Sequence, residues 1–237
     1  MSEILLNVQG LFAGYGEVPV LRDIHMDIKR GEIVALVGSN GAGKTTLLRA
    51  LSRVLVGTGK ITFDGHDLTY LTPDQGFALG LVQVPEGRQL FDQMTVFENL
   101  MMGAFRRRSK GAIHATLESV YALFPTLYER RTQRAGSLSV GEQQMCAIGR
   151  GLMATPKLRM VDEMSLGLAP VIIDQLLEVL STIRKQGVTV LLVEQDVFAA
   201  LEVADRGYVI ETGAVTQSGT ALELTESPEV KRAYLGI

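Results

Sequence analysis

Cysteine is nearly absent: the 237 residues hold one, Cys146. A single thiol excludes an internal disulfide and fits a reducing compartment. It lies in the apolar run Met145-Cys146-Ala147-Ile148, which assigns it to the interior as a small buried side chain. Long hydrophobic runs are missing as well. None approaches the roughly 20 residues needed to span a bilayer. The longest, such as 188–193, are of strand length. Work at a membrane would need another component to hold the chain there. The first residues, Met1-Ser2-Glu3-Ile4-Leu5, lack the basic and apolar segments of a secretion signal, so none is expected. Basic charge is not in excess either. The formal net charge of -3 provides no general attraction to nucleic acid or to an anionic membrane surface. The one basic cluster, Arg106-Arg107-Arg108-Ser109-Lys110, reads as a solvated helix end. The histidines His25, His66 and His114 form no cluster with cysteines or carboxylates, and read as ordinary strand, turn and helix-surface residues.

Hydrophobic residues make up 46% and charged residues 21%, the balance of a globular chain with a sizeable core. Short β-branched or apolar runs at 33–37, 79–84, 158–161 and 188–193 read as buried strands. Between the last two, Ile172, Ile173, Leu176, Leu177, Leu180 and Ile183 form one stripe of a helix over 169–184, with Gly187 near its end. Strand, helix, strand in that order implies a right-handed parallel crossover and an α/β core. Segments 5–20, 60–64 and 207–219 have the character of antiparallel strands and turns. Residues 95–153 are mostly helical in pattern, including a helix over 112–124 stopped at Pro125. One domain of two lobes follows: 1–86 and 156–237 form the core with its antiparallel strands, and 87–155 a helical lobe.

The first strand runs directly into Gly38-Ser39-Asn40-Gly41-Ala42-Gly43-Lys44-Thr45, and a helical pattern opens at Thr46. The glycines let successive backbone amides turn toward one anion, and the helix N-terminus adds its partial positive charge. In this strand–loop–helix setting Lys44 reaches the β- and γ-phosphates of a nucleotide, and the Thr45 hydroxyl ligates Mg2+. The strand at 158–161 ends in Asp162-Glu163, two carboxylates at the carboxyl edge of a parallel sheet. Asp162 is placed to hold Mg2+ through water, and Glu163 to act as general base on the attacking water.

With Leu138-Ser139-Val140-Gly141-Glu142-Gln143-Gln144, these residues resemble the ATPase subunits of ABC transporters, from Tyr15 to the end of the chain. Residues 84–88, 165–170 and 192–195, with Ala233-Tyr234-Leu235-Gly236, are similar to branched-chain amino acid importer ATPases of the LivF type. The resemblance implies a P-loop NTPase fold of the ABC type, with a parallel-sheet core, an antiparallel β subdomain and an inserted helical lobe. It implies that Tyr15 stacks on adenine, and that Gly38, Ser39, Asn40, Gly41, Ala42, Gly43, Lys44, Thr45 and Thr46 cradle ATP. Ser139 and Gly141 would touch the γ-phosphate of an ATP bound to the opposite subunit. Glu86 takes the loop position beside nucleotide and Mg2+ that usually carries Gln, and Gln195 the switch position that usually carries His. The partners implied are a second ABC ATPase subunit, by preference a different chain, two hydrophobic permease subunits, and indirectly a solute-binding protein. The implied location is the cytoplasmic face of the plasma membrane, held through the permeases.

Four positions depart from the commonest pattern: Glu86 and Gln195, named above, and Val140 and Met164. Val140 replaces a glycine of the signature, Met164 replaces the proline after Asp-Glu, and Arg159 interrupts an apolar strand. Arg159 is expected near a sheet edge or beside a partner. Hydrolysis is expected to survive, at a reduced rate. The alternatives are the ATPase of a urea or amide importer, that of an exporter, and a soluble ABC protein. One cassette, no heptad insert and one cysteine weigh against the last. A regulatory subunit without hydrolysis is opposed by Glu163.

Overall fold

The computed structural model describes residues 3–235. Met1, Ser2 and Gly236, each part of a sequence reading above, lie outside them. Strands β1 (Ile4–Tyr15) and β2 (Val18–Lys29) form an antiparallel hairpin. β4 (Gly57–Phe63) pairs with β1, and β5 (His66–Asp67) closes a sheet of order β2-β1-β4-β5. The second sheet has the order β10-β9-β3-β8-β7-β6. In it β3 (Ile33–Val37), β6 (Leu81–Val84), β7 (Leu158–Asp162), β8 (Thr189–Glu194) and β9 (Arg206–Glu211) run parallel. Only β10 (Ala214–Thr220) is antiparallel, against β9. The segment 207–219 is therefore half core: β9 takes a central-sheet place beside β3.

All five residues of β3 are buried, and alternation along the strand divides them between two cores. Val34 and Leu36 face the antiparallel sheet and α1 (Lys44–Leu51). Ile33, Ala35 and Val37 face the helices on the other side. Those helices include α3 (Val96–Gly103), α4 (Lys110–Leu123), α5 (Pro125–Glu129) and α6 (Val140–Met153), which fall between β6 and β7 in the chain. They are joined by α7 (Pro170–Lys185) and α8 (Val197–Val203), and by α9 (Ala221–Glu226) and α10 (Pro228–Leu235) near the end. Thr95 with Glu98, and Ser139 with Glu142, close capping boxes that start α3 and α6.

Three further expectations change. The strand expected from residue 79 begins at Leu81, because α2 (Pro73–Leu79) occupies the preceding residues. Thr72 and Gln75 cap that helix at its start, and Gly80 ends it at φ 102. The basic cluster is only partly solvated. Arg107 donates to the carbonyls of Met153 and Ala112 at 3.0 Å and to the Thr116 hydroxyl at 2.9 Å, tying the α3–α4 link to the end of α6. Arg159 is neither at an edge nor paired. β7 lies between β6 and β8, Arg159 is fully buried, and its three guanidinium nitrogens have no partner among the described residues. Gly151 of α6 packs over this part of the sheet: a Cβ there would lie 3.0 Å from Val84 Cγ2 and 3.8 Å from Arg159 Nε. Cys146 is buried as expected, and burial pushes its thiol up to about 12.

Candidate nucleotide site

The loop 38–43 leaves the carboxyl end of β3 and enters α1 at Lys44. A side chain at Gly38 would collide with the Ile210 carbonyl, and Gly43 has φ +111, so both positions require glycine. Lys44 is buried. Its Nζ donates to the carbonyls of Gly38 at 2.9 Å and Ser39 at 3.2 Å, and lies 3.3 Å from Glu163 Oε1. The lysine is thus held in place by groups that a phosphate can displace.

Asp162 ends β7 and is buried; neither carboxylate oxygen has a hydrogen-bond partner among the described residues. Burial pushes its pKa up to about 6, with Glu163 and Glu86 adding to the rise and Thr45 and Lys44 opposing it. An unpartnered buried carboxylate beside a threonine hydroxyl is a hard oxygen donor set, which fits a divalent cation such as Mg2+. Glu163 follows at φ 44, with its backbone N–H bonded to the Val193 carbonyl at 2.8 Å.

Asn40, Gly41, Gly43, Lys44, Thr45, Thr46, Glu86 and Glu163 line one cavity of about 380 Å³. An adjoining cavity of about 450 Å³ brings Thr45, Glu86 and Asp162 together with Arg49. Gly38, Ser39, Ala42, Tyr15, Ser139, Gly141 and Gln195 line neither cavity. Tyr15 is half-exposed, and its hydroxyl accepts from Arg49 Nη1 at 3.0 Å. The Ser139 hydroxyl is engaged with Glu142 Oε2 at 2.8 Å, at the start of α6. Gly141 packs under Ile172, and Gln195 is exposed just beyond β8. Val20, Leu166 and Arg49 are site residues that the sequence reading missed. Arg49 had a legible signal, standing four residues after Thr45 on the same helix face; Val20 and Leu166 had none.

The sequence pattern of the family described as "ABC transporter" matches residues 21–165, more than half of the chain. The chain belongs to that family. The cassette is 47% identical over 223 residues to the "High-affinity branched-chain amino acid transport ATP-binding protein BraG" of Pseudomonas aeruginosa, covering 94% of this chain and 95% of that one. It is 35% identical to the "Probable branched-chain amino acid transport ATP-binding protein LivF" of Archaeoglobus fulgidus, over 98% of this chain and 99% of the relative. Among solved structures, the ADP conformation of the ATP-binding cassette MJ1267 superposes with TM-score 0.88 at 24% identity, covering both chains fully. That likeness establishes the fold. As an ABC cassette the chain is an ATP-binding and hydrolysing subunit of a transporter. Among the described residues no helix is long and apolar enough to cross a membrane.

Proposed function

We propose that this cassette hydrolyses ATP to drive uptake of branched-chain or related amino acids through partner permeases. The substrate class follows the names of its relatives. The hydrolytic reading is carried by one observation: the buried, unpartnered Asp162 beside Thr45, with the Lys44–Glu163 pair adjacent. The charge of Lys44 is directed at Glu163 and two carbonyls. Phosphate oxygens are stronger partners, so nucleotide entry draws Lys44 away and frees Glu163 to take a proton from water. Thr45 and Asp162, with Glu86 nearby, would hold Mg2+, which supplies charge neutralisation at the phosphates when bound. Tyr15 stacks on adenine. Gln195 positions the γ-phosphate, because an amide donates a hydrogen bond but carries no proton at neutral pH.

Ser139 and Gly141 serve the nucleotide of an opposing ATPase subunit, which is why they stand apart from this chain's own cavity. Nucleotide then joins two half-sites, and hydrolysis releases them. Residues 1–86 and 156–237 act as the nucleotide core, and 87–155 as the lobe that moves against it. Between them a groove of about 340 Å³ is lined by Phe77, Val82, Phe91, Met102 and Phe105. Phe91, Met102 and Phe105 are exposed there, an apolar surface suited to a segment of the permease. The cassette would work at the cytoplasmic face of the membrane, opposite a solute-binding protein on the other side.

Pull-down from membranes tests this reading. Two hydrophobic permeases and a binding protein for branched-chain amino acids are expected; a urea receptor or an export bridge would overturn the substrate class. Phe105→Glu is expected to lose the permeases while the cassette still binds ATP. Retention of the permeases by that variant would remove the groove from the account.

A further inference from the structure

Glu194 ends β8 and is buried to 3% exposure, yet the chemistry above gives it no task. Its two carboxylate oxygens take separate donors from one residue. Oε1 accepts the Ser165 backbone N–H at 3.1 Å, and Oε2 accepts the Ser165 hydroxyl at 2.7 Å. Both are charge-assisted bonds in a buried setting, which fixes the donor in place more firmly than neutral pairing would.

Ser165 stands two residues after Glu163. The Glu163 backbone N–H is bonded to the Val193 carbonyl at 2.8 Å. The turn 163–165 is therefore pinned at both ends to consecutive residues of one strand, Val193 and Glu194. Between the pins the backbone carries strain: Glu163 has φ 44, a region that a residue with a Cβ holds only where its surroundings impose it. Met164 has no ring to stiffen the turn, and its side chain is buried in the helical-side core. Within the turn the Leu166 N–H reaches the Glu163 carbonyl only at 3.4 Å, so the shorter bonds of the pins carry most of the rigidity. Leu166, the residue after Ser165, lines the nucleotide cavity, and its carbonyl accepts from Arg88 Nη2 at 3.2 Å.

We infer that Glu194 is a positioning residue for hydrolysis: by clamping Ser165 it holds the turn 163–165 in the geometry that keeps the Glu163 carboxylate in the cavity opposite Lys44. The inference rests on Glu163 acting as the base. Glu194 itself touches neither nucleotide nor water in this role. A displacement of about 1 Å at a reacting group costs on the order of a hundredfold in rate, so a loosened turn is visible in kcat.

The test uses the cassette purified with its partner subunits in lipid, with Glu194→Ala, Glu194→Gln and Ser165→Ala, and Glu163→Gln as control. Glu194→Ala is expected to lower kcat by about 30- to 100-fold, with KM for ATP within about twofold of wild type. Glu194→Gln, whose amide can still accept from the N–H and donate to the hydroxyl, is expected to recover most of the rate. The double variant Glu194→Ala with Ser165→Ala is expected to be no worse than Glu194→Ala alone, because both break one clamp. Hydrogen exchange at the Ser165 amide should quicken in Glu194→Ala, and this readout also serves if that variant assembles poorly. Turnover of Glu194→Ala within twofold of wild type overturns the proposal. So does a loss that appears equally in ATP affinity and thermal stability and that Gln does not restore. Turnover surviving in Glu163→Gln removes the base itself, and this role with it; loss in Glu163→Gln beside a normal Glu194→Ala removes the clamp alone.

Discussion

Asp162 pays for its position by standing buried at the end of β7 without a hydrogen-bond partner among the described residues. With its folded pKa raised to about 6, above the ordinary aspartate value, the folded state disfavours the charged form. The resulting destabilisation is present above pH 6 and is relieved as pH falls through about 6 toward the unfolded value. The nucleotide-free cassette should therefore gain stability from this group between pH 7.5 and pH 5. Asp162→Asn should raise its stability at pH 7.5 by roughly 1–2 kcal/mol, flatten that pH dependence and abolish turnover. Thermal melts at the two pH values check this, and an unchanged pH dependence in Asp162→Asn would contradict it. Residues whose spacing is dictated by phosphate chemistry were legible in the sequence: the loop 38–45, Asp162 and Glu163. Leu166 and Val20 were not, since they reach the cavity only through the path of the chain around it. Glu194 was legible as part of a motif, while its task depends on Ser165 lying 29 residues away in sequence.

At the scale of elements, β7 carries the least expected feature, a guanidinium sealed between β7 and the helices with no hydrogen-bond partner among the described residues. Burial pulls it down to about 9, well below the usual arginine range. The sequence rule that a lone charge in an apolar strand finds an edge or a partner fails here because β6 covers one side and β8 the other. An uncompensated buried charge is costly, so Arg159→Met should stabilise the cassette by about 1–4 kcal/mol and raise its melting temperature by several degrees. A lower melting temperature would mean that the guanidinium packs or pairs to net advantage. The strands and the long helix α7 were legible from period and apolar runs. The helix α2 was not, because its apolar end, Leu79, merges with the apolar start of β6 at Leu81; only Gly80 separates them.

For the whole molecule, the proposed cycle involves a second subunit. The signature residues sit at the start of α6 and line neither phosphate cavity of this chain; Ser139 is exposed and Gly141 half-buried. Val140 is 45% exposed beside them, so its β-branched side chain faces whatever docks there. Val140→Gly should raise turnover of the assembled transporter severalfold, and an unchanged rate would show that the signature tolerates valine. The proposal that the site is half of a larger one comes only through the resemblance, because no contact within a single chain encodes the partner. The most direct measurement is ATP turnover and mass, by light scattering with Mg2+ and ATP, of Glu163→Gln in the presence of its partner ATPase. Turnover is expected to fall to background while a stable nucleotide-bound dimer accumulates. Undiminished turnover, or a subunit that stays monomeric with ATP bound, would contradict it.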